Sequence, residues 1–81
     1  MNVHVKLFAQ ARDLAGTSQT TISLKEGQSV QEMLASLIDQ HPALSQIQGS
    51  LLVAVNNEYV SAETILSPQA EIACFPPVSG G

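Results

Sequence analysis

Only one stretch of this chain, SVQEMLASLIDQ at residues 29–40, carries helical spacing over more than two turns. Val30, Met33, Leu34, Leu37 and Ile38 fall three and four residues apart and line one face. Ser29 is placed to cap the first turn and Glu32, three residues on, to return a bond to the Ser29 amide, a capping box. Pro42 disfavours helical geometry at His41, so the helix is expected to close by Gln40 or His41. A single helix with one apolar stripe cannot bury that stripe on itself. The remaining segments must supply a sheet for it.

Those segments have the period of two that a half-buried strand requires. Val3, Val5 and Leu7 alternate with His4, Lys6 and Phe8, which predicts a first strand over residues 2–8. The segment AQARDLAGTS, residues 9–18, holds a short helical turn through Leu14 and reverses at Gly16. QTTISL, residues 19–24, is rich in β-branched residues, sets Thr20, Ile22 and Leu24 on one side, and pairs with the first strand as a long-looped hairpin. After the helix, ALSQIQGS adds one more turn before Gly49 stops it. LLVAV at residues 51–55 reads as a buried strand, NNE turns the chain into a short strand at Tyr59 and Val60, and EIACF at residues 71–75 forms the last strand.

Two strands, a crossing helix and two or three further strands can close through a right-handed crossover into one mixed sheet with the helix on a single face. That is the order of the ubiquitin-like β-grasp, an α+β fold in which the last strand lies beside the first in the middle of the sheet. The expected organisation is one domain at residues 1–76 followed by an extended tail at residues 77–81 that ends in Gly-Gly.

Composition narrows the function. The chain has 81 residues, 44% apolar and 12% charged, which suits one small folded domain. Seven acidic against three basic residues give a net charge of −4, the wrong sign for nucleic acid and for anionic membrane surfaces. No apolar run approaches the length of a spanning helix, and MNVHVKLFAQ alternates where a secretory signal would show an apolar block, so a cytoplasmic location is expected. The lone Cys74 fits a reducing compartment and, sharing strand parity with Ile72, reads as a small core residue and not as a sulfur relay. His4 and His41 lack a ligand-spaced partner and read as surface or helix-end residues, so no metal site is expected. No set of nucleophile, base and orienting group is visible.

The end of the chain is chemically distinctive. Pro76 and Pro77 lack amide donors and fix φ, which ends sheet pairing and favours an extended exit. From Pro76 to Gly81 the extended chain reaches at most roughly 20 Å, at about 3.3–3.6 Å per residue. Gly80 and Gly81 have no side chain to block a narrow channel or attack on the terminal carbonyl. A free carboxylate is a poor acyl donor and needs activation, most plausibly adenylation. The chain has no GxxxxGKS/T cradle for ATP, so an activating partner is implied. A plain flexible end is the alternative reading of two terminal glycines.

Three stretches, LFAQARDLAG (7–16), LLVAVNNEYV (51–60) and most specifically FPPVSGG (75–81), resemble the small-subunit family of molybdopterin synthase, and the resemblance spans the chain. It implies a sulfur carrier whose terminal Gly81 is adenylated by a ubiquitin-activating-like adenylyltransferase and converted to a thiocarboxylate with sulfur from a donor protein. No cofactor is expected on this chain itself; ATP is used by the activating partner. It further implies that the tail, Pro76, Pro77, Val78, Ser79 and Gly80, enters the large subunit of the synthase. There Gly81 delivers sulfur to cyclic pyranopterin monophosphate, and Gly80 permits entry. Two small subunits on a large-subunit dimer are the stoichiometry it suggests.

Strand parity also predicts an address for such partners. With Val3, Val5 and Leu7 toward the helix, Phe8 faces the other way, as do Ala73 and Phe75 relative to Ile72 and Cys74. Phe8, Phe75 and Tyr59 are therefore expected on the open face near the tail as an interface anchor; the alternative is that a ring completes the core. Arg12, expected in the loop beside Phe8, is a rim candidate for an acidic partner residue, or simply solvated. A carrier for thiamine or another client, a protein modifier joined to lysines, and a plain binding module remain open at this point.

Overall fold

A computed structural model of the chain describes residues 1–76. Its elements are β1 (Asn2–Leu7), α1 (Ala9–Ala15), β2 (Gln19–Ser23), α2 (Val30–Gln40), a 3₁₀ helix (Pro42–Ser50), β3 (Leu52–Val55), β4 (Glu58–Tyr59) and β5 (Glu71–Phe75). The five strands form one mixed sheet in the order β2-β1-β5-β3-β4. β5 runs parallel to β1 and antiparallel to β3, so the last strand occupies the centre as the β-grasp order requires.

Alternation decides what each strand buries. In β1, Val3, Val5 and Leu7 are buried and the residues between them exposed. Register carries that face across the sheet: Val5 lies beside Ile72, Leu7 beside Cys74, and Val53 beside Cys74 on the other side. Onto this face α2 packs Val30, Met33 and Leu37, with Leu34 and Ile38 at the margin of the same core. Met33 and Leu37 are fully buried. Truncating either to alanine costs about 2–5 kcal/mol, a large part of the roughly 5–15 kcal/mol that holds a small domain folded.

The capping box forms as the sequence predicts. The Glu32 amide donates to the Ser29 hydroxyl at 3.3 Å, and the Ser29 amide donates to the Glu32 carboxylate at 3.1 Å. The bond from the Ser29 amide, with help from the Gln28 side chain, holds the Glu32 carboxyl below its ordinary range. At the other end, α2 closes on His41, whose amide donates to the Leu37 carbonyl.

Several boundaries differ from the sequence reading. β1 ends at Leu7, not Phe8, because Phe8 becomes the residue preceding α1 and its carbonyl accepts from Ala11 and Arg12. The chain swings from strand to helix through Ala9 at φ 52°, a left-handed conformation that costs a non-glycine residue roughly 1–2 kcal/mol. α1 runs to Ala15 and is closed by Gly16 at φ 75°, where the absence of a Cβ removes that cost. Arg12 consequently lies on a helix, not in a loop. The 3₁₀ helix passes through Gly49 to Ser50, longer than the single turn expected, because it packs Leu44 into the core and lies against both α1 and α2. β2 stops at Ser23, and β4 comprises Glu58 and Tyr59, not Tyr59 and Val60.

Cys74 sits at the centre of the sheet, fully buried, and desolvation pushes its thiol up to about 12. Its folded pKa is raised, so the protonated form is the one the fold favours, and that preference is lost as pH rises through the folded value. Cys74 should therefore resist alkylation and disulfide exchange at neutral pH and react fully in denaturant; rapid labelling of the native chain would contradict its placement. Ser29→Ala should remove about 1 kcal/mol and lower the thermal midpoint by roughly 4–8 °C, read by calorimetry. Glu32→Ala should also destabilise, and the loss should shrink as pH falls through the carboxylate range, since a depressed pKa stabilises above its unfolded value.

Candidate functional site

The side of the sheet away from α2 divides into two halves. Over β2, β1 and the start of β5 it presents Gln19, Thr21, His4, Lys6 and Glu71, all exposed and polar. Over the end of β5, β3 and β4 it presents Ala73, Phe75, Leu52, Ala54 and Tyr59. Phe8 completes the apolar half from the β1 side.

Phe75 is its hub. The Phe8 and Phe75 ring centroids lie 6.2 Å apart at 69°, and those of Tyr59 and Phe75 lie 5.5 Å apart at 74°. Both are edge-to-face arrangements, which bring the positive edge of one ring to the negative face of another and are worth about 0.5–1.5 kcal/mol each. The two outer rings are nonetheless open to solvent, Phe8 46% and Tyr59 68% exposed, as is the adjoining Leu52 at 36%, while Phe75 between them is half-buried. Among the described residues, three of the four large exposed hydrophobic residues thus gather in one patch. Ala54, the register partner of Tyr59 and Ala73, is buried on this same face.

Local structure explains why the rings meet. Asn56 and Asn57 adopt φ 51° and 71°, the paired left-handed conformations of a two-residue hairpin turn whose twist matches the strands. That turn sets Val55 opposite Glu58 and Ala54 opposite Tyr59, which puts the tyrosine on the open face. The Asn56 side-chain oxygen also accepts from the Glu71 amide at 3.0 Å, and the Asn56 amide donates to the Glu71 carbonyl at 2.8 Å, so the turn is tied to the start of β5. At the other end of β5, Phe75 pairs with Leu52 and the Phe8 amide donates to the Cys74 carbonyl at 3.2 Å. Pro76 therefore leaves from a strand held on both sides.

Of the residues predicted from sequence, the fold brings Phe8, Tyr59, Phe75 and Pro76 to one end of the sheet. Arg12 stands beside them: a groove of about 260 Å³ next to Phe8 is lined by Lys6, Leu7, Phe8, Arg12, Ser18 and Gln19. Its guanidinium Nε lies 3.8 Å from the Asp13 carboxylate, a contact too exposed to hold it firmly. Pro77, Val78, Ser79, Gly80 and Gly81, and with them the boundary between domain and tail, lie outside the described residues. Leu52 was missed. Its segment reads as a continuous apolar run, which hides the face of each residue until the pairing of Leu52 with Phe75 is known.

Among the described residues no group of three or more His, Cys, Asp or Glu is placed to hold a metal ion. His4 is exposed and His41 closes α2, each in the kind of place its sequence context suggested. Among the described residues no helix is long and apolar enough to cross a membrane. The candidate site on this chain is the apolar patch around Pro76.

The chain is similar to known proteins in sequence and in fold. The chain is 36% identical to the molybdopterin synthase sulfur carrier subunit of Chlamydomonas reinhardtii, over the full length of both, and 33% identical to that of Arabidopsis thaliana, covering all of this chain and 84% of the relative. Among solved structures, SAMP1 from Haloferax volcanii superposes with a TM-score of 0.89 at 30% identity, each chain fully covered. The protein–protein complex of subunits 1 and 2 of the molybdopterin-converting factor from Helicobacter pylori contains a chain that superposes with a TM-score of 0.71 at 22% identity, both fully covered, a likeness of fold. The ThiS family profile matches residues 5–81, nearly the whole sequence, and the chain belongs to the ThiS family.

Proposed function

We propose that this chain is the sulfur-carrier small subunit of a molybdopterin synthase, and that Gly81 carries the transferable sulfur as a thiocarboxylate. The observation that carries this reading is the aromatic patch of Phe8, Phe75, Tyr59 and Leu52 around Pro76, on a chain of the ThiS family. An exposed cluster of large apolar side chains costs solubility and is kept where a partner covers it.

The chemistry divides between this chain and its partners. An activating adenylyltransferase transfers AMP from ATP to the Gly81 carboxylate, with release of pyrophosphate, which replaces a poor leaving group by a good one. A sulfur donor protein then supplies the sulfur that displaces AMP. The resulting thiocarboxylate is ionised at neutral pH and nucleophilic, and enclosure within the large subunit keeps it from water while it is delivered to the pyranopterin precursor. Pro76 to Gly80 serve as the inserted arm, Gly80 admitting the end to a narrow channel. The patch is the handle by which both partners hold the domain. No cofactor is assigned to this chain, and the cytoplasm is where these partners operate.

A second reading is favoured by the similarity to the small archaeal modifier protein of Haloferax volcanii: the same activated glycine joined to lysines of other proteins. Its signature would be isopeptide-linked adducts that depend on Gly81.

Incubation with a cognate activating enzyme, ATP and a sulfur donor should raise the intact mass by the difference between sulfur and oxygen, located to Gly81. An unchanged mass, with the enzyme competent on another carrier, would remove the carrier reading. Deleting Gly81 should abolish sulfur transfer and leave the thermal midpoint unchanged. Phe75→Ala should weaken binding to the large subunit by roughly 2 kcal/mol or more, about thirtyfold, while leaving far-UV circular dichroism unaltered.

A further inference from the structure

The apolar patch has cations along one side. The chain bears three Lys and Arg residues against seven Asp and Glu. Two of those three cations, Lys6 and Arg12, line the same groove against Phe8. The third, Lys25, lies past the end of β2 in the turn leading to α2. Lys6 stands on the open face between Gln19 of β2 and Ala73 of β5, at the seam between the polar and apolar halves. Arg12 reaches the groove from α1, and the exposed Ser18 and Gln19 add a hydroxyl and an amide.

The groove is therefore rich in hydrogen-bond donors and positively charged on a protein whose net charge is −4. Its counter-charges are weak. Asp13 lies 3.8 Å from the Arg12 guanidinium, with both side chains more than half exposed. Glu71 lies on the same face in register with His4, two pairs along from Lys6 and Ala73, and lines a neighbouring groove with Lys6 and Phe8. Among the described residues Lys6 has no ion-pair partner.

We infer that the Lys6–Arg12 groove receives a carboxylate-bearing segment of the large subunit that covers the aromatic patch, and so sets the orientation in which the tail is presented. This rests on the reading of the chain as a carrier subunit. Charge complementarity supports it: Lys6 and Arg12 make a local positive corner on a net-acidic domain, and a carboxylate-bearing segment meets that corner favourably in one orientation. Two cations about a ring also break the symmetry of a patch that would otherwise bind apolar surface without preferred rotation. Complementary charge acts mainly on encounter and register, while the rings account for most of the affinity.

The test uses the full chain and the large subunit from the same organism, with association and dissociation rates measured at about 20 mM and 500 mM salt, where the Debye length falls from roughly 20 Å to about 4 Å. Lys6→Glu and Arg12→Glu should each slow association several-fold at low salt, the double variant about ten- to hundredfold, with the difference largely gone at high salt. Lys25→Glu makes the same change in net charge away from the groove and should have little effect. Lys6→Arg should retain the wild-type rate, and unchanged thermal midpoints would show that the variants fold. Equal slowing by Lys25→Glu and Lys6→Glu would overturn the inference in favour of net charge alone, and unchanged rates in the double variant would overturn it outright. Normal binding by these variants leaves the carrier reading standing; failure of the wild-type chain to bind the large subunit overturns both.

Discussion

The structure depends on the last strand being held from both sides. Among the described residues β5 is the only segment hydrogen-bonded to β1 and β3 together, and so joins the N-terminal hairpin to the C-terminal one. Its alternation places Ile72 and Cys74 in the core and Phe75 on the opposite face. The same five residues thus close the core, carry the centre of the aromatic patch and anchor the point from which the chain departs at Pro76. A tail rooted in an edge strand or a loop would move with its root. Here the root, Pro76, follows a strand held on both sides.

The two faces of the sheet serve different ends. One is covered by α2, whose three fully buried side chains interlock with those of four strands. The other keeps its rings uncovered at one end and polar at the other. The division suits the proposed carrier role, which asks of the domain a stable body and a selective handle and places the reacting group on the main-chain carboxyl. Burial of Cys74 suits the same division: a protonated, enclosed thiol cannot intercept an activated acyl group at the end of its own chain.

Much of this was legible in the residues. The α2 stripe, its capping box, the alternation of β1 and the ends of β5 follow from local rules that act over a few residues, and the fold reproduces them. Phe8 and Phe75 were assigned to one face by parity alone, and the assignment survives although Phe8 leaves the strand, because it keeps extended geometry. Less legible were features set by contacts distant in sequence. The length of the 3₁₀ helix follows from the space between α1, α2 and the core, which no local rule describes. Leu52 lay hidden in an apolar run, and the position of Tyr59 depended on a turn whose register could be read in more than one way.

The sequence by itself determined the element types, the buried face of the helix and the inward parity of the first and last strands, because each is encoded by spacing or residue type within a short window. Tertiary structure decided which exposed groups are neighbours. The two-residue turn at Asn56 and Asn57 set Tyr59 against Ala54, pairing set Leu52 against Phe75, and the path of α1 brought Arg12 to the same groove as Lys6. Adjacency across strands is a property of register, and register is settled only when the core closes and every strand must present its apolar face at once.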